Sequence, residues 1–105
     1  RVEGYVSAPL AERTGFTDAD LELLWMSLTN MWDHDRSAAR GKMAARKLFI
    51  FEHKSRLGNV PAHILFDAIK AERRDATTPP RAFADYSVTV DRAALPAGVQ
   101  LIERL

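Results

Sequence analysis

RKLFIFEHKSRLGNVPAHILFDAIKAERR, residues 46–74, is the stretch that decides the fold. Residues 47–52 read as a strand. Phe49 and Phe51 fall on one face, Leu48 and Ile50 on the other. Apolar residues on both faces suit the centre of a sheet, buried from both sides. Residues 54–60 then read as a turn, with Gly58 and Asn59 suited to positive φ. Pro61 fits the first turn of a helix. Ile64, Leu65, Ala68 and Ile69 supply its apolar face, and the pattern carries it to about residue 74. Lys70, Arg73 and Arg74 then stand near its C-terminus, where cations complement the helix dipole.

Upstream, the spacing predicts a helix over 18–32. Thr17 is a good N-cap, and Asp20 completes a variant capping box. Leu21, Leu24, Trp25, Leu28, Met31 and Trp32 form one apolar stripe, which places both tryptophans in the core. Residues 2–7 read as extended, and 33–43 as a loop with one helical turn, punctuated by Gly41. Downstream, 76–80 is a loop. Residues 83–90 alternate as a strand, with Ala84, Tyr86, Val88 and Val90 on one face and Asp85, Ser87 and Thr89 on a wet one. Residues 95–98 turn the chain into a last strand over 99–102. The order strand, helix, strand, helix, strand, strand predicts an α+β, ferredoxin-like fold with two main helices.

With 105 residues the chain is most simply one domain. Its 47% hydrophobic and 28% charged residues are ordinary for a globular protein. No apolar run approaches the roughly 18 residues of a membrane span. Residues 1–15 have no continuous apolar run of the signal-peptide kind, so a cytoplasmic location is the expectation. The absence of cysteine excludes disulfides, thiolate metal sites and Cys nucleophiles.

Charge is segregated. Between residues 36 and 56 stand Arg36, Arg40, Lys42, Arg46, Lys47, Lys54 and Arg56 against one acid, Glu52, for a charge of +6. The whole chain carries +1, which leaves −5 for the rest. Such a basic segment suits a polyanion or a plain solvated surface. Arg offers bidentate phosphate geometry and Lys a point charge. The small residues Ser37, Ala38, Ala39 and Gly41 leave their backbone N–H groups open to phosphate oxygens. A competing use is internal, with Asp33 or Asp35 pairing with Arg36 or Arg40. Phe49 and Phe51 have a competing use as well, the stacking of RNA bases on a sheet.

Catalytic signals are weak. The acids nearest His34, His53 and His63 have no metal-ligand spacing. No phosphate-binding or dinucleotide glycine motif is present, and no nucleophile elbow. A metal-free ribonuclease using His34 or His53 is the remaining enzymatic alternative. No cofactor is expected.

GFTDADLELLW (15–25), HDRSAARG (34–41), RKLFIFEHKSRLGNVPAHILFDAI (46–69), PRAFADYSVTVD (80–91) and LPAGVQLI (95–102) together resemble one family. It is the type I-C CRISPR-associated backbone subunit, the Cas-seven/Csd-two family. HDRSAARG and Leu57-Gly58-Asn59 with Pro61-Ala62-His63 are the most specific blocks. The resemblance implies a modified RRM-like core and a non-catalytic subunit of the prokaryotic antiviral surveillance complex called Cascade. Such subunits polymerise along a CRISPR guide RNA and meet target DNA through that guide. Their partners are other Cascade subunits and copies of themselves, with no membrane. Members are more than twice as long, so the resemblance also implies that residues 1–105 are the C-terminal part of a longer subunit with an incomplete sheet. Arg36, Arg40, Arg46 and Lys54 are the first candidates for RNA phosphate, followed by Lys42, Lys47 and Arg56. A second possibility is a protein–protein assembly module, its basic loop docking on an acidic patch of the next subunit near Asp85 and Asp91.

Overall fold

A computed structural model describes all 105 residues. The elements are α1 (Ala8–Thr14), α2 (Asp18–Asn30), β1 (Phe49–His53), α3 (Ala62–Asp67), β2 (Ile69–Arg73), β3 (Tyr86–Val90) and β4 (Val99–Glu103). Short 3-10 turns occupy Met31–Asp33, Phe83–Asp85 and Arg92–Ala94. The chain divides into two compact units. One comprises Arg1–Ile50 with Leu101–Leu105, the other Phe51–Gln100. No helix is long and apolar enough to cross a membrane.

The fold is α+β, as its element order predicts. β1 pairs with β4, and β2 with β3. Arg104 N–H donates to the Leu48 carbonyl at 3.0 Å and Lys54 N–H to the Gly98 carbonyl at 2.9 Å, so β1 and β4 run antiparallel. β2 and β3 are antiparallel too, with Ile69 opposite Val90 and Arg73 opposite Tyr86. The succession β1-α3-β2-β3-β4 is consistent with a ferredoxin-like split β-α-β fold, with a 3-10 turn standing where its second helix would be.

In the first unit, α2 starts where the sequence requires. The Thr17 hydroxyl accepts from Asp20 N–H at 3.2 Å, and the Asp20 carboxylate accepts from Thr17 N–H at 2.9 Å. The reciprocal bonds satisfy two orphan donors of the first turn. The helix ends at Asn30 rather than Trp32. Thr29 and Asn30 side chains both donate to the Met26 carbonyl at 2.8 Å and compete with the backbone ladder there. The chain then tightens into the 3-10 turn. Trp25 and Trp32 are half-buried, not enclosed in a core.

The expected N-terminal strand is not formed. Residues 2–7 have no ladder partner, and α1 follows, a helix absent from the sequence reading. Its signals are Ser7 as N-cap, Pro9 in the first turn and Gly15 at φ +75° closing it. In that left-handed conformation Gly15 N–H reaches back to the Ala11 carbonyl.

The second unit overturns the long helix. α3 stops at Asp67, and Ile69–Arg73 is a strand. Lys70, Arg73 and Arg74 therefore oppose no helix dipole. Residues 70–74 are good helix formers, but the ladder with Tyr86–Val90 outweighs that preference of a few tenths of a kcal/mol per residue. Arg74 closes the hairpin. Its N–H donates to the Asp85 carbonyl at 2.8 Å and its Nε to the Ala84 carbonyl at 3.0 Å. Residues 83–85 are accordingly a 3-10 turn and not the start of β3. Only Leu65 and Ala68 are buried, and the Phe51 and Phe66 rings meet edge to face at 6.5 Å. β1 is not a central strand, since it belongs to a two-stranded ribbon and Phe49, Ile50 and Phe51 are half-buried.

Four exposed carboxylates are held below their ordinary pKa. Thr17 N–H lowers Asp20, Arg104 lowers Glu22, the Thr77 hydroxyl lowers Asp75, and Arg81 N–H lowers Asp85. A lowered native pKa contributes stability above the ordinary values, 3.8 for Asp and 4.5 for Glu, and loses it as pH falls through the lowered values. The melting temperature is therefore expected to stay level from neutral pH to about 5 and to fall below about 4. A melting temperature that rises on acidification would contradict this assignment.

Candidate nucleic-acid interface

All seven cations singled out in the sequence are exposed. Arg36, Arg40, Lys42, Arg46 and Lys47 lie in the first unit, Lys54 and Arg56 in the second.

The loop after α2 is wired internally. His34 and Asp35 N–H groups donate to the Met31 carbonyl, and Gly41 N–H donates to the Ser37 carbonyl at 2.9 Å. The latter is the single helical turn expected there. The Ser37 hydroxyl accepts from Arg40 N–H at 3.2 Å. Gly41 adopts φ +56°, the left-handed value that ends such a turn. Two cations also brace the loop. Arg36 Nε donates to the Asp33 carbonyl at 3.1 Å, and Arg40 Nη1 contacts the Asp35 carboxylate at 3.0 Å. Both partners of that pair are about half exposed, so it contributes about 0–1 kcal/mol and leaves the guanidinium accessible. Lys42 and Lys47 carry no ion pair.

The second unit presents a tight turn at 53–59. His53 Nδ1 accepts from Asn59 N–H at 2.9 Å, and Asn59 Oδ1 accepts from Ser55 N–H at 2.9 Å. Gly58 adopts φ +91°, while Asn59 keeps negative φ, so only one of the two expected residues is left-handed. The Nδ1 acceptor role puts the proton of the neutral His53 ring on Nε2. Sequence reasoning identified the Leu57-Gly58-Asn59 block but missed that Asn59 ties both ends of the turn. An Asn beside a Gly, six residues from a His, was the available signal.

Gly98 packs against that turn. A Cβ there would lie 2.8 Å from Asn59 Nδ2, and its φ is +91°. Gly98→Ala is expected to cost about 1–2 kcal/mol, read as a lower urea midpoint. Gly4→Ala is the control, because nothing lies within 4 Å of the added carbon. Equal shifts in both variants would remove the packing argument.

His34 and His63 are exposed on separate elements, and no group of three His, Asp or Glu side chains is placed to hold a metal ion. Asp85, half of the acidic patch suggested for assembly, is engaged locally. Its Oδ2 accepts from Arg81 and Ala82 N–H at 2.8 and 2.9 Å.

A family model described as CRISPR-associated protein Cas7 matches residues 1–91. No curated protein matches the chain.

Proposed function

We propose, given that this chain belongs to the CRISPR-associated protein Cas7 family, that it is a non-catalytic backbone subunit of a type I-C Cascade. It would hold guide RNA in the cytoplasm and meet target DNA only through that guide. The loop over residues 33–42 carries the reading. It is braced by its own backbone and still displays Arg36, Arg40 and Lys42 to solvent. Such a loop loses little conformational freedom when it meets a phosphate chain. Arg46 and Lys47 continue the basic surface towards β1. Contact with phosphate reads no sequence, which suits a subunit that must accept any guide.

A second reading, assembly without RNA contact, is favoured by the same bonds, since Arg36 and Arg40 already have partners within the loop. A ribonuclease has less support. The Nδ1 lone pair of His53 is occupied by Asn59 N–H.

Fluorescence anisotropy of a labelled single-stranded RNA at several salt concentrations tests the RNA reading. Binding whose affinity falls steeply and linearly on a log–log salt plot is expected. Absent or salt-independent binding would turn the assignment to assembly.

A further inference from the structure

His53 has a ring nitrogen built into the closure of a turn. Its Nδ1 accepts from Asn59 N–H at 2.9 Å. The ring is half-buried at the end of β1 and lies against Gly58, where a Cβ would stand 3.7 Å from Nδ1. Asn59 passes the constraint on. Its Oδ1 accepts from Ser55 N–H at 2.9 Å, and a Cβ on Gly98 would approach its Nδ2 to 2.8 Å. One lone pair on one imidazole therefore anchors the linked contacts from His53 through Asn59 to Ser55.

Imidazole accepts at Nδ1 only while it is neutral. The protonated ring donates at both nitrogens and accepts at neither. A proton on Nδ1 sets two N–H groups against each other, and the bond to Asn59 is lost. The turn itself adds only the cations Lys54 and Arg56. Glu52, next to His53 in β1, alternates to the opposite face and is exposed. Lys54 N–H donates to the Gly98 carbonyl, which brings the uncharged Gly98 and Val99 to this end of β1. α3 meets β1 through the Phe66 and Phe51 rings, and its ionisable residues, His63 and Asp67, are exposed.

We infer that the 53–59 turn is a pH-sensitive latch, closed while His53 is neutral and released when Nδ1 takes a proton. Imidazole is the side chain whose charge changes between about pH 5 and 8, so the switch falls in the physiological range. Release hands the Asn59 N–H to water and frees Asn59 Oδ1 from Ser55. The Gly58 N–H bond to the Ser55 carbonyl, 3.0 Å, does not involve the ring and remains. The opening is local and lies at an exposed turn, so the melting temperature stays level through it. What changes is the placement of Lys54 and Arg56, which the closed latch fixes at the end of β1. The latch needs no RNA, so it stands or falls separately from the guide-RNA reading.

Nuclear magnetic resonance on the nitrogen-15-labelled chain, without RNA, tests this from about pH 8 down to about pH 5. At the upper end the His53 ring is expected in its Nε2–H form. On acidification the Asn59 and Ser55 amide signals are expected to move with the same midpoint as the His53 ring, the Asn59 proton upfield as its bond is lost. His53→Asn puts a carbonyl oxygen that does not titrate in the place of Nδ1, and is expected to hold both amides still across the range. His53→Ala removes the acceptor. Its two amides are also expected to ignore pH, with the Asn59 proton upfield of that in His53→Asn. Circular dichroism checks that each variant is folded, and the wild-type titrations decide the matter even where one is not. A His53 ring in the Nδ1–H form at the upper end overturns the latch. So does a ring that stays neutral down to the lower end, or amides that do not follow it. A shift of the two amides that survives in His53→Asn, driven by His34 or His63 instead, overturns it as well.

Discussion

Leu65→Ala lowers the stability of the chain by about 3 kcal/mol, the largest loss expected from any single truncation here. Leu65 is 2% exposed and is the one large side chain fully enclosed. Its small neighbour Ala68, at 4%, leaves little that can collapse into the space. The loss combines the transfer term of the missing carbons with the cavity they leave. In a domain of this size it corresponds to a fall in melting temperature of about 10–20 °C. Ile64→Ala supplies the comparison. Ile64 lies on the same helix but is 39% exposed, and alanine has the better helix propensity, so its cost is expected to stay below about 1 kcal/mol. Urea unfolding of both variants decides the matter. Similar midpoint shifts would mean that Leu65 is not the anchor of α3.

Replacing Arg36, Arg40 and Lys42 together by alanine is expected to weaken single-stranded RNA binding about 100-fold near 0.1 M salt. Each lost phosphate contact removes about 0.7 from the log–log salt slope, so three contacts remove about 2. Arg40→Ala also breaks the pair with Asp35, but that exposed bridge is worth too little to unfold the loop. Lys70, Arg73 and Arg81 serve as the control, since they are exposed and their removal subtracts the same charge from a different surface. If the control triple costs as much affinity and slope as the loop triple, binding is a property of net charge, and the loop is no interface. If only the loop triple fails, RNA follows residues 33–42.

The site and the fold were legible to different depths. The seven cations were found because charge runs need no tertiary information, and all seven are exposed. Their engagement was only half legible. The sequence offers both Asp33 and Asp35 to Arg36 and Arg40, while the folded loop gives Arg36 the Asp33 carbonyl and Arg40 the Asp35 carboxylate. The helix α1 was not legible, because residues 2–7 resemble a strand until Ser7, Pro9 and Gly15 are read together as the caps of one short helix. Asn59 could be placed in a turn, but its bonds to Ser55 and His53 depend on how the turn closes.

Whatever is written in neighbours three or four apart was determined by the sequence alone. The Thr17–Asp20 box starts α2 at its expected residue, and Gly58 and Gly98 take the positive φ that their turns require. Such features depend on local sterics and on hydrogen bonds that a short segment makes by itself. Only the tertiary structure decided the fate of residues 69–73. Their composition favours continuing α3, yet Tyr86–Val90 supplies a ladder from Ile69 opposite Val90 to Arg73 opposite Tyr86. A propensity of a few tenths of a kcal/mol per residue yields to strand pairing and packing that exist only once distant segments meet. The same dependence governs β1, whose apolar pattern is that of a strand but whose only partner, β4, lies at the far end of the chain.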